Sequence, residues 1–490
     1  MRIVELVLEN YKGFYGRHNF NLDSNLVFIV GENNTGKSTL FEAINNLQSG
    51  FKDIQKIRNI KSEANSNIMI QLKLKGEIIN TITNFSEDKY ISYVFQEDGE
   101  DTLIIRRQTK ETEWIDSRGK KKVISHKNIA VWNNEKKLFE NPSGIDSAFK
   151  TLFECQYIWA DTNPDDISDF GGTKICGRLI NTVAQDFFVS DIWKDFEEIH
   201  RKTFTDRSNS ESLISQVSSI EEELKSIMEE QYGKSSVSFN FSLPEQTSFL
   251  KFGDILLDDG VETSHSEKGN GMKRALALAL IQIYSNKLIR HEENDHIHKP
   301  LFFMLDEPET FLHPKAQEKL MKSLNKLSER NQTFITTHSP YLLKIFDKQK
   351  HKLLVFNKDT LSNQFENISD ELNLFDNYSP TWGEINYFAY KICWEEFHDE
   401  LYGHIQHKEN IFTIKQLDNY LLDNHGIQKS KEWKREKKGE IIIERITLAS
   451  YIRNYIHHPE NRHNNKFSVQ DLEISTKELI EVIKKHTPSN

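Results

Sequence analysis

Residues 31–39 read Gly-Glu-Asn-Asn-Thr-Gly-Lys-Ser-Thr and follow the apolar run Leu26-Val27-Phe28-Ile29-Val30. A complete G-x-x-x-x-G-K-[ST] between an apolar run and the amphipathic stretch 38–47 dictates a strand, a tight loop and a helix in immediate succession. Gly31 and Gly36 allow the backbone to close into a loop whose N–H groups point inward at an anion. The helix adds its own unsatisfied N–H groups and dipole at the same place. Lys37 can then reach β- and γ-phosphates, and the Ser38 hydroxyl is placed to ligate Mg²⁺. The pattern predicts a nucleoside triphosphate, ATP, held by Gly31, Asn33, Asn34, Thr35, Gly36, Lys37, Ser38 and Thr39.

The rest of the chain must supply a sheet to carry that loop. With 490 residues, 37% hydrophobic and 11% aromatic, there is material for real cores and about three domains. No apolar stretch approaches the ~18 residues that span a bilayer. The opening MRIVELVLENYKGF alternates like a strand and lacks the apolar core of a signal peptide, so a cytoplasmic protein is expected. Cys155, Cys176 and Cys393 are odd in number and far apart, which fits buried thiols rather than disulfides or zinc. A net charge of −11 excludes a generally basic coat, so any nucleic-acid contact requires a local basic patch.

Alternation in IMIQLKLKGEII, YISYVFQ and TLIIRRQ (68–108), then in KKVISHKNIAVW (121–132), predicts an antiparallel β subdomain inserted after the first helix. Helical patterns return at 145–155 and 182–204. Leu213, Val217, Ile220, Leu224 and Ile227 recur at 4-3-4-3 spacing, two heptads that predict a short helical hairpin at about 205–232. SSVSFNFSL and FGDILL read as strands. LFFMLDE (301–307) and TFITT (333–337) read as buried parallel strands. We expect a head over 1–350, a linker over 351–379 and a mostly α-helical domain over 380–490, with the boundary near Ser379-Pro380.

The strand 301–307 ends in Asp-Glu, the form of a Walker B motif. Asp306 would hold Mg²⁺ with Ser38, and Glu307 would orient the attacking water as a general base. His338, in Thr-Thr-His-Ser at the end of the next strand, falls where a γ-phosphate sensor would sit. Ser266-Glu-Lys-Gly-Asn-Gly-Met-Lys-Arg-Ala opens a long apolar helix whose Gly269, Asn270 and Gly271 permit close anion approach. Glu307, His338 and Lys37 are thus the expected catalytic residues of the head.

These four elements, in this order, resemble the ABC-type ATPase head of SMC-like, RecF-like and overcoming-lysogenization-defect (OLD) proteins. DEPETFLHP (306–314) and Thr-Thr-His-Ser-Pro (336–340) resemble the OLD-like branch especially. The resemblance covers roughly 1–350. It implies an α/β head that forms a homodimer around two ATP molecules, each signature segment completing the partner's site. The chain departs from the L-S-G-G-Q signature, showing Gly269-Asn270-Gly271-Met272. Trans contacts would rest on backbone amides, with Ser266 or Lys273. For the family's Q-loop glutamine, Gln156, at the end of a helix, is the first choice and Gln96 the second.

OLD proteins usually carry a Toprim nuclease after the head, but no strand-borne Glu with a D-x-D pair follows residue 350. Instead TLASYIRNYIHHPEN (447–461) resembles the R-x₄₋₆-H motif of HEPN domains, with Arg453-Asn454 followed by His458. HEPN domains are often metal-independent ribonucleases. The resemblance makes Arg453 a phosphate ligand and His458 a proton carrier at an RNA 2′-hydroxyl. Near it lie the basic run KSKEWKREKKGE (429–440), with Trp433 as a stacking surface, and a helix over 384–406 bearing Glu396, His398 and Glu400. A cassette head with such a tail is similar to bacterial anticodon nucleases of the PrrC and RloC type. Other ATPases sharing this head serve Septu and PARIS antiphage systems, where the nuclease is a separate subunit. The sequence therefore predicts an antiphage ATPase controlling a nuclease, its own RNA-cleaving tail or a partner, with RNA (tRNA) or DNA as the nucleic acid. The alternative is a DNA repair ATPase of the RecF or SMC kind that binds DNA, against which stand the brief heptads and the acidic charge. Nothing marks the membrane-coupling surface of a transporter cassette.

Overall fold

The computed structural model describes residues 1–116, 118–160, 164–171, 174–290, 299–310, 312–358, 365–369, 372–437 and 439–486. Packing divides the chain into two units. The first is Met1–Ala160 with Lys299–Glu309 and Gln317–Asn490; the second is Asp161–His298 with Thr310–Ala316.

The first unit holds two sheets. One is antiparallel and is built from β1 (Arg2–Tyr11), β2 (Phe14–Asn21), β4 (Met69–Lys75), β5 (Glu100–Gln108), β6 (Ala130–Asn133) and β7 (Leu138–Glu140). Its order is β7-β6-β5-β4-β1-β2, with the short strand Phe95–Glu97 beside β5. The other carries β3 (Leu26–Gly31) at its centre, with β10 (Thr333–Thr336) and β11 (His351–Lys358) parallel on either side. Outside β10 lie β9 (Leu301–Asp306) and then β8 (Glu154–Ile158), both parallel, and the far edge is the antiparallel β12 (Phe365–Asn367). Every residue of β3 and β9 is buried, which is why their sequences run apolar without alternation. Helix α1 (Lys37–Ser49) buries Leu40, Phe41, Ile44 and Leu47 in a core that also takes Leu6 and Leu72 from the antiparallel sheet and Val27 and Phe356 from the parallel one.

One side chain stitches the two sheets together. Gln332, 5% exposed just before β10, accepts from the Ile3 N–H at 2.7 Å and donates to the carbonyls of Ile3 at 2.7 Å and of Leu22 and Ser24 at 3.0 Å. Gln332→Ala would leave the Ile3 N–H without its acceptor inside the protein. We expect the unfolding free energy to fall by about 3 kcal/mol in a denaturant titration, and a fall under about 1 kcal/mol would mean that water replaces the amide.

Several expectations need correction here. The inserted strands are antiparallel as expected, and β4 and β5 continue the sheet begun by β1 and β2. The segment 121–132 is not a strand pair: Lys121–Ile124 pairs with Thr112–Ile115, and β6 pairs with β5 and β7. GEII opens the helix Ile78–Phe85 and YISY a 3₁₀ turn. The supposed linker 351–379 contributes β11, an inner strand of the sheet that pairs parallel with β3. Strand pairing there comes from the apolar run Leu353-Leu354-Val355-Phe356, all buried.

In the second unit Trp193 anchors an aromatic group, edge-on to Phe188 at 4.8 Å and to Phe249 at 5.4 Å between centroids. The predicted strand SSVSFNFSL is irregular, and of FGDILL only Leu256 and Leu257 lie in a strand, Leu256–Asp258. Over 205–232 the helices are Leu213–Gln216 and α2 (Ser218–Tyr232). The heptad residues Ile220, Leu224 and Ile227 are exposed, while Ile214 and Glu221 are buried. Arg207 grips Glu221 with two bonds of 2.8 Å and holds its carboxyl down at about 2. The long helix α3 (Asn270–Arg290) also belongs to this unit.

The tail comprises α4 (Trp382–Tyr390), α5 (Glu395–Lys408), α6 (Ile414–His425), α7 (Leu448–His457) and α8 (Val469–His486), around Phe397, Leu401, Leu417, Leu421, Leu479 and Ile483. It does not separate from the head as a unit, since α4 packs on β3 and β11. The single helix expected over 384–406 is broken after Tyr390 by Lys391 at φ +57°. His398 faces the core rather than solvent and meets the Ser475 hydroxyl at 2.9 Å. The basic run is a strand, β13 (Lys431–Lys437), paired antiparallel with β14 (Glu440–Ile446). Trp433 is buried edge-on against Tyr451 at 5.7 Å and offers no stacking face.

Candidate nucleotide site

Parallel pairing brings the carboxyl ends of β3, β9 and β10 to one edge of the sheet, where crevices at strand ends take ligands. At the end of β3, Gly31 has φ +149°, and a Cβ there would stand 2.2 Å from the Phe356 carbonyl oxygen of β11. Asn34 and Gly36 follow at φ +61° and +93°. Among the described residues the N–H groups of Asn33, Asn34, Thr35 and Gly36 have no acceptor, which leaves an anion nest closed by the Thr35 hydroxyl donating to the Glu32 carbonyl at 2.8 Å. Lys37, 5% exposed, donates to the carbonyls of Gly31 at 3.1 Å and Glu32 at 2.9 Å. Burial pushes its ammonium pKa down, against the pull of Glu307, Asp306 and Glu309. Thr39, in the first turn of α1, donates its N–H to the Gly36 carbonyl at 3.1 Å.

Ser38 donates its hydroxyl to Asp306 at 2.8 Å, and Thr336 donates to the same carboxylate at 2.5 Å. A hydroxyl and a carboxylate converging this closely fit Mg²⁺, which takes hard oxygens and keeps few protein ligands beside phosphates and water. Glu307 follows at φ +45° and donates its N–H to the Thr336 carbonyl at 3.1 Å and hydroxyl at 3.0 Å. That left-handed turn is rare for a non-glycine residue and re-aims the carboxylate away from the strand. Glu307 Oε1 lies 3.3 Å from His338 Nε2.

The loop bearing His338 is held from two sides. Glu309 Oε1 accepts from the Thr337 hydroxyl at 2.7 Å and the His338 N–H at 2.9 Å. Burial raises the Glu309 pKa, partly offset by those donors. From α4, Tyr390 donates its hydroxyl to the Thr337 carbonyl at 3.1 Å, with its ring 5.8 Å from the His338 ring. Burial, with Glu309 and Glu307 nearby, pushes the phenol pKa up, so it stays a donor. Tyr390→Phe would remove only that donor. We expect ATP turnover to fall about threefold to tenfold with little change in KM, since small displacements of a positioned group weaken chemistry more than binding. Turnover equal to wild type would reduce Tyr390 to packing.

The structure thus brings together the P-loop, Asp306, Glu307 and His338. Gly269, Asn270 and Gly271 lie in the second unit at the start of α3, with Gly269 and Asn270 exposed; there Lys273 pairs with Asp165 at 3.0 Å and Ser266 with Ser264 at 2.9 Å. Gln156 is on strand β8, not at a helix end, and bonds Glu154; Gln96 is tied to Asp101 at 2.6 Å. In the tail Arg453 sits 6.0 Å over the Tyr402 ring, while His458 caps α7 and meets Glu460 at 3.2 Å. No hydrogen bond or ion pair joins Arg453 to His458 among the described residues. Sequence reading missed Glu309, Thr336 and Tyr390. Glu309 was legible as the third acid of Asp-Glu-Pro-Glu; Tyr390 carries no local signal.

This geometry is that of a P-loop ATPase, and the chain belongs to the AAA ATPase domain family, which matches residues 1–168 and 179–343. It is similar to the Old nuclease of Escherichia phage P2, 26% identical over 338 residues that cover 64% of this chain and 53% of that protein. It is also similar to Endonuclease GajA of Bacillus cereus (strain HuB5-5), 24% identical over 408 residues, 73% of this chain and 57% of that one. The chain therefore spans about half the length of the curated relatives it matches. Among solved structures it resembles an SmcHead bound to the C-winged helix domain of ScpA, with TM-score 0.40 and 16% identity over 75% of this chain and 97% of that chain. The SMC head domain from Thermotoga maritima gives TM-score 0.36 and 13% identity over 75% and 99%. Among the described residues no helix is long and apolar enough to cross a membrane.

Proposed function

We propose that this chain binds ATP with Mg²⁺ and hydrolyses it to control a nuclease, as the cytoplasmic ATPase of a bacterial antiphage, abortive-infection system. The observation that carries the reading is the convergence of Ser38, Asp306, Glu307 and His338 beside one anion nest. The nest and Lys37 hold the triphosphate, and Ser38 with Asp306 would hold Mg²⁺, which supplies charge neutralisation at the β- and γ-phosphates. Glu307 takes the proton of the attacking water, and His338, kept in place by Glu309 and Tyr390, faces the γ-phosphate. Exposed Gly269 and Asn270, with Gly271, suit contact with the ATP of a second copy in a homodimer. Two nuclease relatives support the link to nucleic-acid cleavage.

The nuclease is either the tail or a partner subunit, and one experiment separates them. The purified chain is incubated with tRNA in each nucleotide state, alongside Arg453→Ala and His458→Ala. Cleavage by wild type that both variants lose assigns it to the tail. Intact RNA throughout, with ATP turnover retained, assigns it to a partner.

A further inference from the structure

A cleft of about 1080 Å³ lies wholly in the tail, between the β13–β14 hairpin, α6, and the end of α7 with its following loop. It is large for a small-molecule pocket, which typically runs ~300–1,000 Å³. Its wall has five Lys/Arg and four acids, yet the acids are already engaged. Asp418 accepts from the Thr447 N–H at 3.0 Å and hydroxyl at 2.6 Å, and Glu444 pairs with Arg435 at 2.6 Å. Glu460 meets His458 at 3.2 Å and Glu436 meets His463 at 3.6 Å. Lys415, Arg445 and Arg462, contributed by three different segments, keep no carboxylate within ion-pair distance among the described residues. On the same wall Asn454 is 5% exposed, and its side-chain Oδ1 is buried without a hydrogen-bond partner. A buried amide left unpaired costs about 1–3 kcal/mol, so its retention asks for a partner from outside the protein.

We propose that this cleft binds a nucleotide, free or as one unit of a strand, with the phosphate against Lys415, Arg445 and Arg462 and a base edge on the Asn454 amide. An amide offers one donor face and one acceptor face, which matches the mixed edge of a nucleobase and not a simple anion. The cleft takes in His458, so the proposal rests on the reading of the tail as the part that meets RNA and deepens it, requiring binding and not cleavage.

The test uses the full chain with ATP saturating the P-loop, and a fluorescent single-stranded RNA of about 12 nucleotides as probe, with uridine monophosphate as competitor. Binding of the RNA should weaken at least about tenfold in Arg445→Glu/Arg462→Glu, with the salt slope lowered by about two, while ATP turnover is unchanged. Asn454→Ala should weaken binding of the RNA with little change in thermal stability, because it removes a buried acceptor that has no partner within the protein. Displacement by uridine monophosphate identifies a free nucleotide as the ligand; RNA binding that it does not displace identifies a strand. Absence of binding to both probes at low salt, or binding that the charge reversal leaves intact, overturns the proposal. Retained ATP turnover in the same preparation would then show that the ATPase reading is untouched.

Discussion

Glu307→Gln is expected to lower ATP turnover by about 10²–10⁴-fold while leaving ATP affinity within a fewfold. The substitution keeps the size of the side chain, the left-handed backbone at φ +45° and the bonds from its N–H to Thr336. It also keeps a polar atom about where the carboxylate stands, 3.3 Å from His338 Nε2 in the wild type. What is lost is the capacity to accept a proton from water, together with the negative charge facing Lys37 and His338. Phosphate release measures turnover, and a nucleotide titration measures affinity. Glu309→Gln is the internal control. Its carboxyl is buried, aimed at the Thr337 hydroxyl and the His338 N–H, with its pKa raised by that burial. A neutral amide can still accept both bonds, so Glu309→Gln should lose no more than about tenfold. A larger loss for Glu309→Gln than for Glu307→Gln would move the base role to Glu309, and turnover unchanged in Glu307→Gln would remove the residue from the mechanism.

Gly31→Ala should abolish nucleotide binding and destabilise the first unit by roughly 3–5 kcal/mol, combining backbone strain with overpacking. The added methyl would meet the Phe356 carbonyl at 2.2 Å and the Thr35 hydroxyl at 2.9 Å, and the φ of +149° suits no side chain. A backbone oxygen inside a paired strand cannot step aside. Gly269→Ala makes the contrast, because nothing lies within 4 Å of its Cβ position. That variant should unfold within about 0.5 kcal/mol of wild type, the usual range of surface changes. Thermal denaturation with and without ATP reads both. A stable, ATP-binding Gly31→Ala would show that β11 is free to slide past β3.

What the sequence disclosed follows from the range of the interactions. The convergence of the P-loop, Asp306-Glu307 and His338 was legible because each follows a strand end at once, and the fold has only to bring strand ends to one edge. The parallel strands at 301–307 and 333–337 were legible as unbroken apolar runs. Strand β11 was not, because its apolar run of four sits in a polar stretch and resembles a linker until it is paired with β3. The hairpin was hidden for the opposite reason: in Lys431–Lys437 charges dominate, and Trp433 is the sole side chain of the strand fully covered. Tyr390 acts across 53 positions on a carbonyl, a contact with no periodicity to betray it.

That contact has a consequence for how the parts can be exchanged. A chain cut before Thr381 would lose α4 and, with it, the hydroxyl that steadies the loop beneath His338. The head is therefore not a detachable motor to which any effector can be bolted. Anything that tilts α4 would move the Tyr390 hydroxyl against the Thr337 carbonyl, and with it the loop that carries His338.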